Sequence, residues 1–105
     1  MKTILFLVAD GFEETELAAP FDLLQRGGVG VTLASISGDL SVRGSHGLQI
    51  ETDILLKDAQ TEEFDGVFLP GGGRGVKNLC ASPEVATCAL AFAAADKWVA
   101  AICAA

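Results

Sequence analysis

The sequence predicts an open α/β fold built on a mostly parallel sheet. Three observations carry the prediction. Apolar runs recur at residues 3–8, 29–36, 64–69 and 98–102, and helical periodicity fills stretches between them. Three of these runs end in small or glycine-rich turns: Asp10-Gly11, Pro70-Gly71-Gly72-Gly73 and Cys103-Ala104-Ala105. Half of the 105 residues are hydrophobic, enough for one core in one domain.

Residues 3–8 form a continuous β-favouring run, the pattern of a central parallel strand covered on both faces. Asp10 and Glu13 have the spacing of a capping box, after which Leu17, Ala18, Phe21 and Leu24 recur at helical intervals until Gly27-Gly28. A helix is therefore expected from Glu13 to Arg26, kinked at Pro20. Residues 29–36 alternate apolar and small side chains and complete a strand-helix-strand unit. Ser37-Gly38-Asp39 is a turn, and residues 40–42 and 48–52 are short strands around Arg43-Gly44-Ser45-His46-Gly47, a small hairpin beside the main sheet.

Residues 53–63 are polar, with room for one short helical turn. Residues 64–69 form another buried strand, followed by the loop Pro70-Gly71-Gly72-Gly73-Arg74-Gly75. Ser82-Pro83-Glu84 starts a helix with a cap, a proline at the first helical position and an acid in the first turn. Val85, Ala89 and Phe92 give that helix a buried face. The last strand then leads to Cys103.

A net charge of -7 and a pI near 4.4 argue against nucleic acid and anionic membranes as partners. The amino-terminal apolar run is too short to span a bilayer and lacks a signal cleavage pattern, which places the protein in the cytoplasm. Three cysteines with no Cys-x-x-Cys pair fit free thiols better than a disulfide framework. Cys80 and Cys88 lack metal-ligand spacing and read as structural, and no metal site is expected.

Ligands of open α/β sheets bind beyond the carboxyl ends of the strands. Three such ends, at Asp10-Gly11, Pro70-Gly71-Gly72 and Cys103, bring acids at a helix start, a glycine loop with amide hydrogens, and a thiol to one edge. These are the parts of covalent thiol chemistry: a nucleophile, a carboxylate and an oxyanion site. Each part also has a plainer use. A cysteine at a strand end serves as a packing residue, Glu13, Glu14 and Glu16 as partners of the helix dipole, and the glycines as a turn. The loop matches neither G-x-x-x-x-G-K-[ST] nor G-x-G-x-x-G, so it is no nucleotide signature. His46, the only histidine, reads as a surface turn residue.

Four stretches together resemble the ThiJ/PfpI superfamily in its DJ-one-like branch: Ala9-Asp10-Gly11-Phe12-Glu13-Glu14-Thr15-Glu16, Asp22-Leu23-Leu24-Gln25-Arg26-Gly27-Gly28, Leu69-Pro70-Gly71-Gly72 and Ala100-Ala101-Ile102-Cys103-Ala104-Ala105. The resemblance implies a flavodoxin-like sheet of the class I glutamine amidotransferase kind, with helices on both faces and Cys103 at a nucleophile elbow. It further implies that Glu16 reaches the thiol as a protonated carboxyl, and that the amides of Gly72 and Ala104 face a developing oxyanion. A homodimer packing through the first helix and the hairpin region would bring Arg26 and His46 near the partner's site. Relatives continue for nearly as many residues again, so the resemblance implies that these residues are one incomplete domain of that type.

The activity so implied is cofactor-free conversion of a small reactive carbonyl such as methylglyoxal, with glyoxalase- or deglycase-like chemistry at Cys103. Two alternatives stand beside it. One is an oxidative-stress sensor or chaperone using the same cysteine; the other is an inactive half-domain that needs a partner segment.

Overall fold

The computed structural model describes residues 1–103. In chain order the elements are β1 (Thr3–Val8), α1 (Glu14–Arg26), β2 (Gly30–Ser35), β3 (Ser41–Arg43), β4 (Gln49–Glu51), β5 (Ile54–Leu55), β6 (Gly66–Leu69), α2 (Gly73–Cys80), α3 (Pro83–Ala94) and β7 (Trp98–Ala101). Short 3-10 turns occupy Leu56–Asp58 and Thr61–Glu63.

β1 is the spine because it is apolar on both faces. Leu5, Leu7 and the following Ala9 pack with Val67, Leu79, Val85, Cys88 and Phe92 on one side, the side covered by α2 and α3. Ile4, Phe6 and Val8 point the other way, where Phe12 and Leu17 of the α1 region and Val42 of the hairpin cover them. This two-residue alternation follows from strand geometry. The rings of Phe6 and Phe68, neighbours across β1 and β6, lie 4.5 Å apart. The sheet is thus flavodoxin-like, with helices on both faces.

The strands run in the order β5-β2-β1-β6-β7, and every pair is parallel. From β1 the chain moves outward through β2 and β5, then returns to the opposite side of β1 for β6 and β7. The order therefore reverses between β1 and β6, the position where such sheets hold ligands. β3 and β4 form a separate antiparallel pair with Val42 opposite Ile50, the hairpin expected from the sequence.

Four details depart from the sequence reading. The cap of α1 is Glu13, whose carboxylate accepts from the amides of Thr15 and Glu16 at 3.3 and 3.0 Å, while Asp10 accepts instead from the Arg43 amide at 3.0 Å. α1 itself starts one residue later than expected, at Glu14, and runs through Pro20 to the expected end at Arg26. The polar segment before β6 holds a two-residue strand and two turns rather than a single turn. Finally, the glycine loop is shorter than its composition suggests, because α2 begins at Gly73.

Candidate active site

Two loops interlock where β1 and β6 end. The Glu13 amide donates to the Gly71 carbonyl at 3.1 Å, and the Gly75 amide donates to the Gly11 carbonyl at 3.2 Å. Backbone contacts this close exclude side chains. Gly72 has φ +97°, and a Cβ there would stand 2.6 Å from the Gly11 carbonyl oxygen and 2.8 Å from the Glu13 nitrogen.

β7 continues the ladder beyond its last residue through the Ile102 amide, which donates to the Leu69 carbonyl at 3.2 Å. Cys103 then takes φ +59°, in the left-handed region that few non-glycine residues enter. Its side chain is exposed. A cysteine in a strained turn at a parallel strand's carboxyl end is the geometry of a nucleophile elbow.

Glu16 approaches from the first turn of α1, which is fixed by the Glu13 cap and by the bond from Glu13 to the glycine loop. Its Oε1 is buried and has no hydrogen-bond partner among the described residues. Between the two groups lies Gly71: a Cβ built there would overlap the Glu16 Oε1 and stand 2.8 Å from the Cys103 Cβ. The Glu16 Oε1 and the Cys103 Cβ thus both lie within about 3 Å of one point, with no hydrogen bond between the carboxyl and the thiol. An acid and an exposed thiol so placed can add sulfur to an electrophilic carbon and move the accompanying proton.

Of the remaining sequence candidates, Gly72 adjoins this point, whereas Arg26 and His46 lie away from it. Gly72 caps α2 within the interlocked loops, and Ala104 lies outside the described residues. Arg26 pairs with Asp22 at 3.0 Å at the far end of α1, with both side chains largely exposed. The His46 ring lies by the opposite end of that helix, within hydrogen-bonding distance of Ser45 and Glu14 and not of Cys103. Cys88 is buried against the α3 side of the core, and that burial pushes its thiol up from the usual value.

The residue that sequence reasoning undervalued is Glu14. Its Oε2 accepts from the amides of His46 at 2.8 Å and Leu48 at 3.2 Å, and its Oε1 accepts from the Ser45 hydroxyl at 3.2 Å. Burial of the carboxylate works to raise its pKa, but the backbone amides, that of His46 first and Leu48 among them, together with the His46 ring outweigh that and hold it at about 2. Gly44 gives it room, since a Cβ there would meet the Glu14 carboxyl carbon at 2.6 Å. Glu13, Glu14 and His46 offer ligand atoms within 4.8 Å of one another, but both carboxylates are already engaged by backbone donors. The cluster is therefore accounted for by capping and turn closure. Only the glycine at position 44 hints at this arrangement in the sequence.

A parallel α/β sheet with a cysteine in a strained turn at its carboxyl edge, and a helix glutamate beside it at the glycine loop, defines a class of cysteine-site proteins. The model of the DJ-1/PfpI family matches residues 2–105, and the chain belongs to that family. The Parkinson disease protein 7 homolog of Danio rerio is 40% identical over 85 residues, covering 80% of this chain and 45% of the relative. An oxidized DJ-1 of Toxoplasma gondii superposes with a TM-score of 0.94 at 32% identity, covering 99% of this chain and 56% of that one. A DJ-1 superfamily protein of Salmonella typhimurium, solved as a cysteine-to-alanine mutant, gives 0.93 at 34% identity, with 96% and 55% covered. The chain thus spans about half the length of the relatives it matches. Among the described residues no helix is long and apolar enough to cross a membrane.

Proposed function

We propose that, in a domain of the relatives' length, Cys103 is the nucleophile of a cofactor-free enzyme acting on small reactive carbonyls such as methylglyoxal. The observation that supports this reading is the convergence of the Glu16 Oε1 and the Cys103 Cβ on Gly71, with the cysteine held at φ +59°.

The thiolate adds to the aldehyde carbon, the carbonyl electrons move to oxygen, and a hemithioacetal forms once that oxygen takes a proton from the Glu16 carboxyl. The Gly72 and Ala104 amides are assigned to the developing oxyanion. Glu16, now a carboxylate, removes the hydrogen on the former aldehyde carbon to give an enediolate and returns it to the adjacent carbon, while the hemithioacetal hydroxyl gives its proton to the neighbouring oxygen; the product is the lactoyl thioester. Water then hydrolyses the thioester to lactate and regenerates the thiol, so methylglyoxal and one water balance one lactate.

The test is lactate formation from methylglyoxal. Cys103→Ala should abolish it, and Glu16→Gln should lower kcat by about 10²–10⁴-fold, the range for a lost acid/base. A wild-type protein without turnover would rule the reading out.

Redox sensing is the second reading, favoured by the exposure of Cys103 and by the oxidized state of the Toxoplasma relative. It predicts peroxide modification of Cys103 ahead of Cys80 and Cys88, read by peptide mass, with no turnover. Under either reading we propose a homodimer through α1 and the hairpin, where Leu23 is 67% exposed and Arg26 and His46 lie open. Sedimentation of a Leu23→Lys variant tests it.

A further inference from the structure

We propose that Gly71 is the positioning residue of this site: the side chain it lacks is the space through which Glu16 and Cys103 approach each other. The inference rests on the Glu16–Cys103 pairing proposed above and extends it to a residue that bears no chemistry of its own.

The glycines of the Pro70-Gly71-Gly72-Gly73 loop have different reasons to be glycine. Gly72 is required by its backbone, at φ +97°. Gly73 begins α2, and a Cβ there would meet nothing within 4 Å. Gly71 is neither. Its φ lies outside the left-handed region, so an L side chain suits its backbone. What excludes a side chain is space alone. A Cβ would overlap the Glu16 Oε1, stand 2.8 Å from the Cys103 Cβ, and stand 3.0 Å from the Ile102 carbonyl oxygen.

The surroundings make this point rigid. The Gly71 carbonyl is held by the Glu13 amide at 3.1 Å, and Glu13 also caps the turn that carries Glu16. On the other side, the Ile102 amide bonds Leu69, two residues before Gly71. Neither strand end can retreat without breaking a ladder or cap bond, so the Glu16 side chain, whose far end is the closest and most movable of the three contacts, takes up most of the displacement, and the Cys103 Cβ must give by a few tenths of an ångström as well. The carboxyl would swing off the point where it meets the cysteine. Among the described residues its Oε1 has no hydrogen-bond partner to hold it there.

The experiment compares wild type, Gly71→Ala, Glu16→Gln and the double variant in the full protein. Alkylation of Cys103 by iodoacetamide is followed against pH without substrate, and methylglyoxal turnover is measured separately. Gly71→Ala should move the alkylation profile as Glu16→Gln does and lower kcat by about a hundredfold, the scale of an ångström-level misplacement, with KM near its wild-type value. The double variant should lose no more than Glu16→Gln alone, since both act on one contact.

Additive losses, or a Gly71→Ala profile identical to wild type, would overturn the proposal. If wild type turns over no methylglyoxal, the enzyme reading fails while the alkylation profiles still decide the role of Gly71. Should Gly71→Ala fold poorly, Glu16→Ala in the same chain should recover part of the lost stability by removing the closest of the three contacts; no recovery at all would equally overturn it.

Discussion

Glu14 and His46 are joined at 2.8 Å, the carboxylate Oε2 accepting the backbone amide of His46 and so tying the first turn of α1 to the hairpin turn 32 residues away. The same carboxylate accepts from Leu48 and Ser45. The hairpin is further clamped to the loop that follows β1, through Gly11 donating to the Arg43 carbonyl at 2.8 Å and Ser45 donating to the Phe12 carbonyl at 2.8 Å. The site's first loop is therefore braced on one side by the glycine loop and on the other by the hairpin.

This brace titrates. Glu14 is held at about 2 against its ordinary 4.5, so the folded state binds its proton less readily than the unfolded chain does. Its contribution to stability is fully present above 4.5 and is lost as pH falls toward about 2. Asp65 adds in the same direction, held below its ordinary 3.8 chiefly by the Thr3 amide. Urea unfolding midpoints measured down this range should fall for the wild type. Glu14→Gln should be less stable at neutral pH and show a shallower acid slope, its difference from wild type shrinking as the acid is approached.

Cysteine reactivity should divide by burial. Cys88 is 5% exposed and its thiol is pushed up, which suppresses the thiolate that alkylating reagents attack. Cys80 and Cys103 are exposed. Peptide mapping after native iodoacetamide treatment should find label on Cys80 and Cys103, with Cys88 modified only in denaturant. Rapid native labelling of Cys88 would show that α3 does not hold its packed position.

Gly72→Ala should destabilise through backbone and space together. A non-glycine residue at such a φ costs about 1–3 kcal/mol, and the collision with the Gly11 carbonyl adds to it. Denaturant titration should show the loss. A neutral result would mean that the two loops part more easily than their hydrogen bonds imply.

What the sequence reveals depends on whether the stabilising partner is local. β1 is legible because both faces of the strand enter the core, and α3 because Ser82, Pro83 and Glu84 carry their own capping chemistry, Ser82 Oγ accepting from Val85 at 3.4 Å. α2 is illegible for the opposite reason. Its first turn holds Gly73 and Gly75, each about 1 kcal/mol worse than alanine in a helix, which reads as loop. Gly75 is there because a Cβ would stand 3.0 Å from the Gly11 carbonyl oxygen and from the Phe12 Cα, a demand set more than 60 residues away. The site divides likewise. Cys103, Glu16 and the glycine loop stand out at strand ends, whereas the wedge at Gly71 and the hub at Glu14 depend on contacts between distant segments.

β7 offers the last prediction. All four of its residues are exposed, with Trp98 at 62% and Val99 at 46%. Register places Trp98 beside Gly66 and Ile4 on the α1 side, and Val99 beside Val67 and Leu5 on the other. Among the described residues no strand pairs with its outer edge, so apolar side chains on both faces accompany unpaired backbone groups. Such an edge templates association with other chains. Replacing Trp98 and Val99 together by threonine keeps β-propensity and removes apolar surface. Light scattering of the 105-residue chain at matched concentration should fall, while its unfolding free energy should stay within about 0.5 kcal/mol, as for surface substitutions. A large loss of stability would instead show that these side chains support the sheet from its edge, through the contact between Trp98 and Gly66.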